Sequence, residues 1–191
     1  MTPEDEVLLA EIAGGDQEAL RELYARYRPR LRRYLWYQFD GDAGRLEEAL
    51  QDVFLAVWRS AGKYRGEARV ATWLFQIAHH QVLHARRDAA RRITGQLALF
   101  GEHLDEEMVP DPNWQSASHE DQVLDRLVLA EALGRLSARH REVLELIFVH
   151  GFSPGEVAQI LEVPDGTVKS RVSYARRALR KELTAAKAGE E

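Results

Sequence analysis

Three histidines crowd into the stretch WLFQIAHHQVLHARR, residues 73–87. On a helix His80 and His84 share one face, the spacing from which a metal site starts. His79 lies about 100° round the helix from His80, so the three cannot converge on one ion. His103, His119, His140 and His150 stand apart without ligand spacing, and the absence of cysteine removes thiolate sites and disulfides. No metal and no other cofactor is expected. The same stretch opens on Trp73, ends in two arginines and follows Tyr64, Arg65 and Arg69. Aromatic faces inside a basic rim can hold an unstacked base, at about 1–3 kcal/mol per base. A second group with nucleic-acid chemistry lies in GTVKSRVSYARRALRK, residues 166–181. Lysine can donate to guanine O6 and N7, serine hydroxyls meet several base edges, and the arginines have the reach and charge for phosphates. No nucleophile motif, Gly-rich phosphate loop or paired catalytic carboxylates accompany these groups, so no enzymatic activity is expected.

The formal net charge of −5 over 191 residues argues against a nucleic-acid partner only until it is divided along the chain. Residues 1–20 hold six acids and no Lys or Arg, and residues 101–125 hold eight acids and none. Between them, residues 21–92 carry fifteen Lys and Arg against eight Asp and Glu, and residues 165–181 carry six against one. Two basic blocks thus alternate with two acidic ones, and such segregation governs partners more than the total does. No run approaches the roughly 18 apolar residues of a membrane span, and the acidic start does not resemble a signal peptide. A cytoplasmic protein with no membrane insertion is expected.

The elements that must position these groups are helical in period throughout, and no stretch alternates as a strand. Thr2-Pro3 and Asp5 open a first helix that closes at Gly14-Gly15. A second starts at Asp16 with a stripe of Ala19, Leu20, Leu23, Tyr24, Tyr27, Leu31 and Leu35, and Pro29 is expected to kink or restart it. A third spans about 45–59, with Leu46, Leu50, Val53, Phe54 and Val57 inward. After the loop KYRGEARVA, Thr72 is expected to cap a fourth helix reaching about Arg87. Residues 93–118 carry acids, prolines and weak periodicity, and read as an acidic linker in which Leu104 and Trp114 are possible anchors. Helices then follow near 119–134 and from Ser137 to about His150, with Gly151 as C-cap. Ser153 and Glu156 form a capping box with Pro154 at the first helical position, ahead of inward Val157, Ile160 and Leu161. The break EVPDG turns the chain into a basic helix with Val168, Val172, Ala175 and Leu179 inward. Two short helices, a tight turn and a basic second helix make a helix-turn-helix, whose second helix enters the major groove by its N-terminal half. The fold class is all-α: two small helical domains, an N-terminal bundle (1–92) and a C-terminal helix-turn-helix domain (119–191), joined by the acidic linker.

The wording of these segments carries the reading further. REVLELIFVHGFSPGEVAQILEVPDGTVKSRVSYARRALRKEL resembles region 4 of bacterial sigma factors of the extracytoplasmic-function (ECF) group. Residues 16–92 resemble region 2 of the same family: LEEALQDVFLAVWR is similar to its core-polymerase-binding helix, and YRGEARVATWLFQIAHH to its loop and helix for promoter melting and −10 recognition. The resemblance implies a non-enzymatic transcription initiation factor. Such a protein binds the RNA polymerase core (its β and β′ subunits), directs it to promoter DNA and helps open the duplex. It also implies an anti-sigma factor that covers both DNA-binding domains. By matching positions, Gln51, Asp52, Phe54 and Leu55, with Trp58 nearby, would meet the polymerase clamp. Tyr64, Arg65, Arg69, Trp73 and His80 would face the melted −10 strand. Thr167, Lys169, Ser170, Arg171, Ser173, Tyr174, Arg176 and Arg177 would serve the −35 duplex, the last two and Arg171 mostly through phosphates. In the family the linker threads the polymerase near the template and nascent RNA, where eight acids would suit a positively charged channel, although an ordinary solvated tether would have the same composition.

The chain departs from the family pattern in the −10 helix. Gln76 stands where Arg is usual, His80 for the Asn that recognises a −10 base, His84 for an Asp, and Val70 for an aromatic residue. A neutral imidazole can stack and make one hydrogen bond, so a shifted base preference is expected at His80. The alternative to a sigma factor is a stand-alone helix-turn-helix regulator, which would leave LEEALQDVFLAVWR and the 64–80 cluster without a role.

Overall fold

The computed structural model describes residues 4–97 and 133–188 of the chain. Among them all regular structure is helical, as the sequence period requires, and the chain divides into two compact units.

The first unit is built on four helices: α1 (Asp5–Ala13), α2 (Gln17–Gln38), α3 (Ala43–Ser60) and α4 (Val70–Leu97). Helices α2 and α3 begin where a side chain accepts from their first backbone donors. Asp16 caps α2 by accepting from the N–H groups of Glu18 (2.7 Å) and Ala19 (3.2 Å), and Asp42 caps α3 by accepting from that of Arg45 (3.0 Å). Helix α3 packs against α2 and α4, and α1 lies on α2. The inward stripes interlock as a core of Leu8, Leu9, Ile12, Leu23, Leu31, Leu35, Leu46, Leu50, Val53, Val57, Leu74, Phe75 and Val82. Removing each such side chain from water contributes about 1.5–3 kcal/mol. A polar clasp fixes α1: the Asp5 carboxylate accepts from both the Arg26 guanidinium and the Tyr27 hydroxyl, and Glu22 holds Arg26 from its other side at 3.0 Å. Burial and the Asp5 carboxylate raise the Tyr27 phenol far above its usual range, so it stays a donor.

Three local expectations change. Helix α2 runs unbroken through Pro29, which sits on the exposed face, where water can satisfy the carbonyl that loses its intrahelical donor. Thr72 is not a cap: α4 starts at Val70, the Trp73 N–H bonds the Arg69 carbonyl at 3.0 Å, and Thr72 is buried in the first turn. Helix α4 also continues to Leu97, past Arg87 and into the residues expected to be linker. The capping role of Thr2-Pro3, the rest of the acidic linker with Leu104 and Trp114, and nearly all of the 119–134 helix lie outside the described residues.

The second unit contains α5 (Ala138–Leu144), α6 (Pro154–Leu161) and α7 (Asp165–Ala188). Ser137 stands at the N-cap of α5. The helix expected to reach His150 loosens after Leu144 into a π-helical turn, Glu145–Val149, where buried Glu145 and His150 pair at 3.3 Å. Helix α5 packs on α7, with Leu136 and Leu144 meeting Ala175. The capping box forms as expected. The Glu156 carboxylate accepts from the Ser153 N–H (2.9 Å) and hydroxyl (2.8 Å), while the Glu156 N–H donates to Ser153 Oγ (3.3 Å). Val163 N–H closes the turn on the Ala158 carbonyl at 3.1 Å, and Thr167 N–H bonds that of Pro164 at 2.8 Å to start α7.

Candidate nucleic-acid interface

Helix α7 presents the chemistry the sequence assigns to it. Val168 and Ala175 are fully buried and Val172 and Leu179 half-buried, which turns Lys169, Ser170, Ser173, Tyr174, Arg176 and Arg177 to the outside. Thr167 and Arg171 are half-buried at the edge of this face. The Ser170 hydroxyl donates to the Thr167 carbonyl at 2.9 Å. Its one proton is thereby used within the helix, and its lone pairs are left to accept from a base-edge amino group. Tyr174 is 55% exposed, yet its inner side is covered: the ring stacks on His140 of α5 with centroids 4.4 Å apart and planes 22° from parallel. Arg176 lies over the exposed Phe148 ring at 5.8 Å. His140 and Phe148 escaped the sequence reading because neither repeats at a motif spacing on its own helix. The only hint was the spacing of Ser137 to His140, an N-cap residue and the third position after it.

The second cluster closes the loop between α3 and α4. The Tyr64 hydroxyl donates to the Ala68 carbonyl at 2.6 Å, drawing the loop tight. Gly66 takes φ +73°, which a side chain would strain. The Tyr64 ring meets Trp73 edge-on at 5.5 Å, both half-buried, while Arg65 and Arg69 point outward from the loop. Burial, reinforced by Glu6 and Asp5, raises the Tyr64 phenol, so this hydroxyl stays protonated. Along α4 the histidines part company. His79 turns into the core, where its Nδ1 lies 3.4 Å from the hydroxyl of fully buried Tyr34. His80 is half-buried and His84 exposed, two turns and three turns on from Trp73 along the same side of the helix. Among the described residues no three His, Asp or Glu side chains gather as a metal site.

The third group is on α3. Gln51, Asp52 and Leu55 share its outer face, Leu55 at 50% exposure, while Phe54 is buried and Trp58 half-buried. Phe54 instead supports the surface from beneath, its ring meeting that of Tyr24 edge-on at 4.7 Å. Tyr24, which the period places inward, is 37% exposed and carries the Arg28 guanidinium over its ring at 5.9 Å. On this face an exposed apolar residue thus stands beside a glutamine and a carboxylate.

Comparison with known proteins agrees with this arrangement. Residues 23–92 match the Sigma-70 region 2 family and residues 132–181 the Sigma-70 region 4 family. The ECF RNA polymerase sigma factor SigL of Mycobacterium tuberculosis is 35% identical over 170 residues, spanning 88% of this chain and 90% of that one. The RNA polymerase sigma-H factor of Pseudomonas aeruginosa is 27% identical, spanning 94% of each. Among solved structures, RpoE in complex with the anti-sigma factor NepR from Bartonella quintana superimposes with a TM-score of 0.65 at 27% identity, covering 86% of this chain and 96% of that one. CnrH in complex with the cytosolic domain of CnrY does so at 0.64 and 26%, covering 95% and 97%. A region 2 unit with its aromatic loop, a region 4 helix-turn-helix, and near full-length similarity to these relatives place the chain in the ECF family of RNA polymerase sigma factors.

Proposed function

We propose that this protein is an alternative sigma factor in which the two helical units divide the promoter between them. It binds the RNA polymerase core, directs it to specific promoters and assists their melting. The single observation that carries this reading is the α6–turn–α7 unit: a capped helix, a tight turn and a second helix whose buried Val168 and Ala175 leave Lys169, Ser170, Ser173 and Tyr174 outward. Those four residues read base edges of the −35 element, and Thr167, Arg171, Arg176 and Arg177 hold its phosphates. In the first unit, Tyr64, Arg65, Arg69, Trp73 and His80 engage the melted −10 strand. Gln51, Asp52 and Leu55, supported by buried Phe54, contact the core enzyme. The proposed boundaries are residues 1–92 for core and −10 binding, 93–118 for the linker, whose first residues to Leu97 continue α4, and 119–191 for −35 binding. An anti-sigma partner belongs to this reading, since the similar structure of RpoE is a complex with the anti-sigma factor NepR. With core polymerase and promoter DNA as partners, its proposed place of work is the cytoplasm, and among the described residues no helix is long and apolar enough to cross a membrane. The family's members are initiation factors rather than catalysts.

The experiment is binding of the purified chain to duplex DNA fragments with and without bacterial core polymerase. Sequence-specific retention that requires the core is expected. An equally specific footprint from the chain alone identifies a stand-alone regulator instead.

A further inference from the structure

Ser137 is the N-cap residue of α5, a residue type whose hydroxyl ordinarily accepts from the N–H two or three positions on. Here it makes no such bond. Its Oγ lies 2.7 Å from Nδ1 of His140, the third residue of the helix. The first turn is therefore without its side-chain cap, and the hydroxyl fixes the rotation of an imidazole. That imidazole stacks nearly parallel on Tyr174, 4.4 Å centroid to centroid. Tyr174 sits in the middle of the outward face of α7, between the two groups Lys169–Ser170 and Arg176–Arg177. A tyrosine more than half exposed on a helix would otherwise sample several χ1 positions, and the stack leaves it the one that covers His140.

We propose that His140, held by Ser137, is a positioning residue for promoter recognition: it fixes the Tyr174 ring against α7 and so sets the base preference at the step of the −35 element that Tyr174 meets. The inference rests on the −35 reading of α7 given above. It extends that reading to a residue outside the helix-turn-helix, carried on a different helix from the groups that touch DNA. The chemistry suits the task. An imidazole offers a flat face of about the right size for a phenol ring, and offset stacking of two rings is directional where aliphatic packing is not. Burial and the positive charge of Arg171 both lower the His140 pKa, so the ring stays neutral and adds no charge beside the DNA-facing arginines.

The test uses holoenzyme assembled from the full chain and core polymerase, with transcription measured on promoters carrying every single-base change in the −35 element. His140→Ala, His140→Phe, Tyr174→Ala, the His140→Ala/Tyr174→Ala double variant and Lys169→Ala are compared, with thermal unfolding of each. His140→Ala is expected to flatten discrimination about fivefold at the positions that Tyr174→Ala also flattens, with no further loss in the double variant. His140→Phe, which keeps a ring to stack on, is expected to restore the parent profile. An unchanged profile for His140→Ala, or losses that add in the double variant, overturns the proposal while a normal Lys169→Ala effect leaves the −35 reading standing. If Lys169→Ala and Tyr174→Ala also leave the profile unmoved, the −35 reading fails and takes this proposal with it. A lower melting temperature for His140→Ala with its base profile intact reduces His140 to a packing residue.

Discussion

At the scale of single residues, the chemistry of recognition was easier to name than the contacts that orient it. Lys169, Ser170, Ser173 and Tyr174 were legible because a buried Val168 and Ala175 at helical spacing fix which side of α7 faces outward. The stack on Tyr174 was not, since it joins residues 34 positions apart on different helices, and no period within either helix encodes it. The three histidines of WLFQIAHHQVLHARR show both outcomes. Spacing alone separates His79 from His80, and the structure turns His79 toward Tyr34 in the core while His80 stays at the surface. His80→Ala is expected to weaken promoter opening, read by permanganate reactivity of −10 thymines, and to leave core binding unchanged. His80→Asn is expected to open promoters with an altered −10 base preference. Lys169→Ala should cost about tenfold in −35-dependent transcription, the equivalent of about 1.4 kcal/mol. For His140 the folded state favours the neutral ring. The unfolded chain therefore binds the proton more readily, and the contribution to stability is complete above the ordinary histidine value of about 6.5 and is lost as pH falls below it. Urea midpoints measured from pH 8 to 5 should decline on the acid side, and less steeply in His140→Phe.

At the scale of elements, two helix starts with side-chain caps were visible in the sequence, and one start without a cap was misplaced. Asp16 and the Ser153/Glu156 box were visible in the sequence and are present with good geometry. The start of α4 was misplaced at Thr72 because threonine is a common cap, whereas here it is buried within the helix and Val70 leads it. Pro29 was expected to interrupt α2, but its exposed position and the buried Tyr27 and Leu31 on the opposite side keep the helix continuous. Ser153→Ala is expected to destabilise the helix-turn-helix unit by about 1 kcal/mol and to weaken −35 use in proportion, measured by denaturant unfolding and by transcription. Leu50→Ala, in the core beneath the Gln51/Asp52/Leu55 face, should destabilise the first unit by about 2–5 kcal/mol.

At the scale of the molecule, the segregation of charge and the order of the two units were readable from one sequence, and the family comparisons bear out the all-α fold and the sigma-factor reading. A net charge of −5 is compatible with promoter binding because residues 1–20 and 101–125 hold fourteen acids and no Lys or Arg, which leaves the remaining stretches basic on balance. The outer face of α3 belongs to this scale, since its proposed partner is another protein. Replacing Gln51, Asp52 and Leu55 together with alanine should lower core affinity at least tenfold, by fluorescence titration of labelled chain with core enzyme, while the melting temperature stays near that of the parent. The central claim is that this chain, once joined to core polymerase, selects promoters through both of its units. The most direct measurement is transcription in vitro from a genomic DNA library with bacterial core polymerase, with and without the chain, mapping every RNA 5′ end. New start sites that depend on the chain and share two upstream sequence elements, one near −35 lost in the Lys169→Ala protein and one near −10 altered in the His80→Ala protein, are the predicted result. No chain-dependent initiation with any bacterial core enzyme would contradict the account.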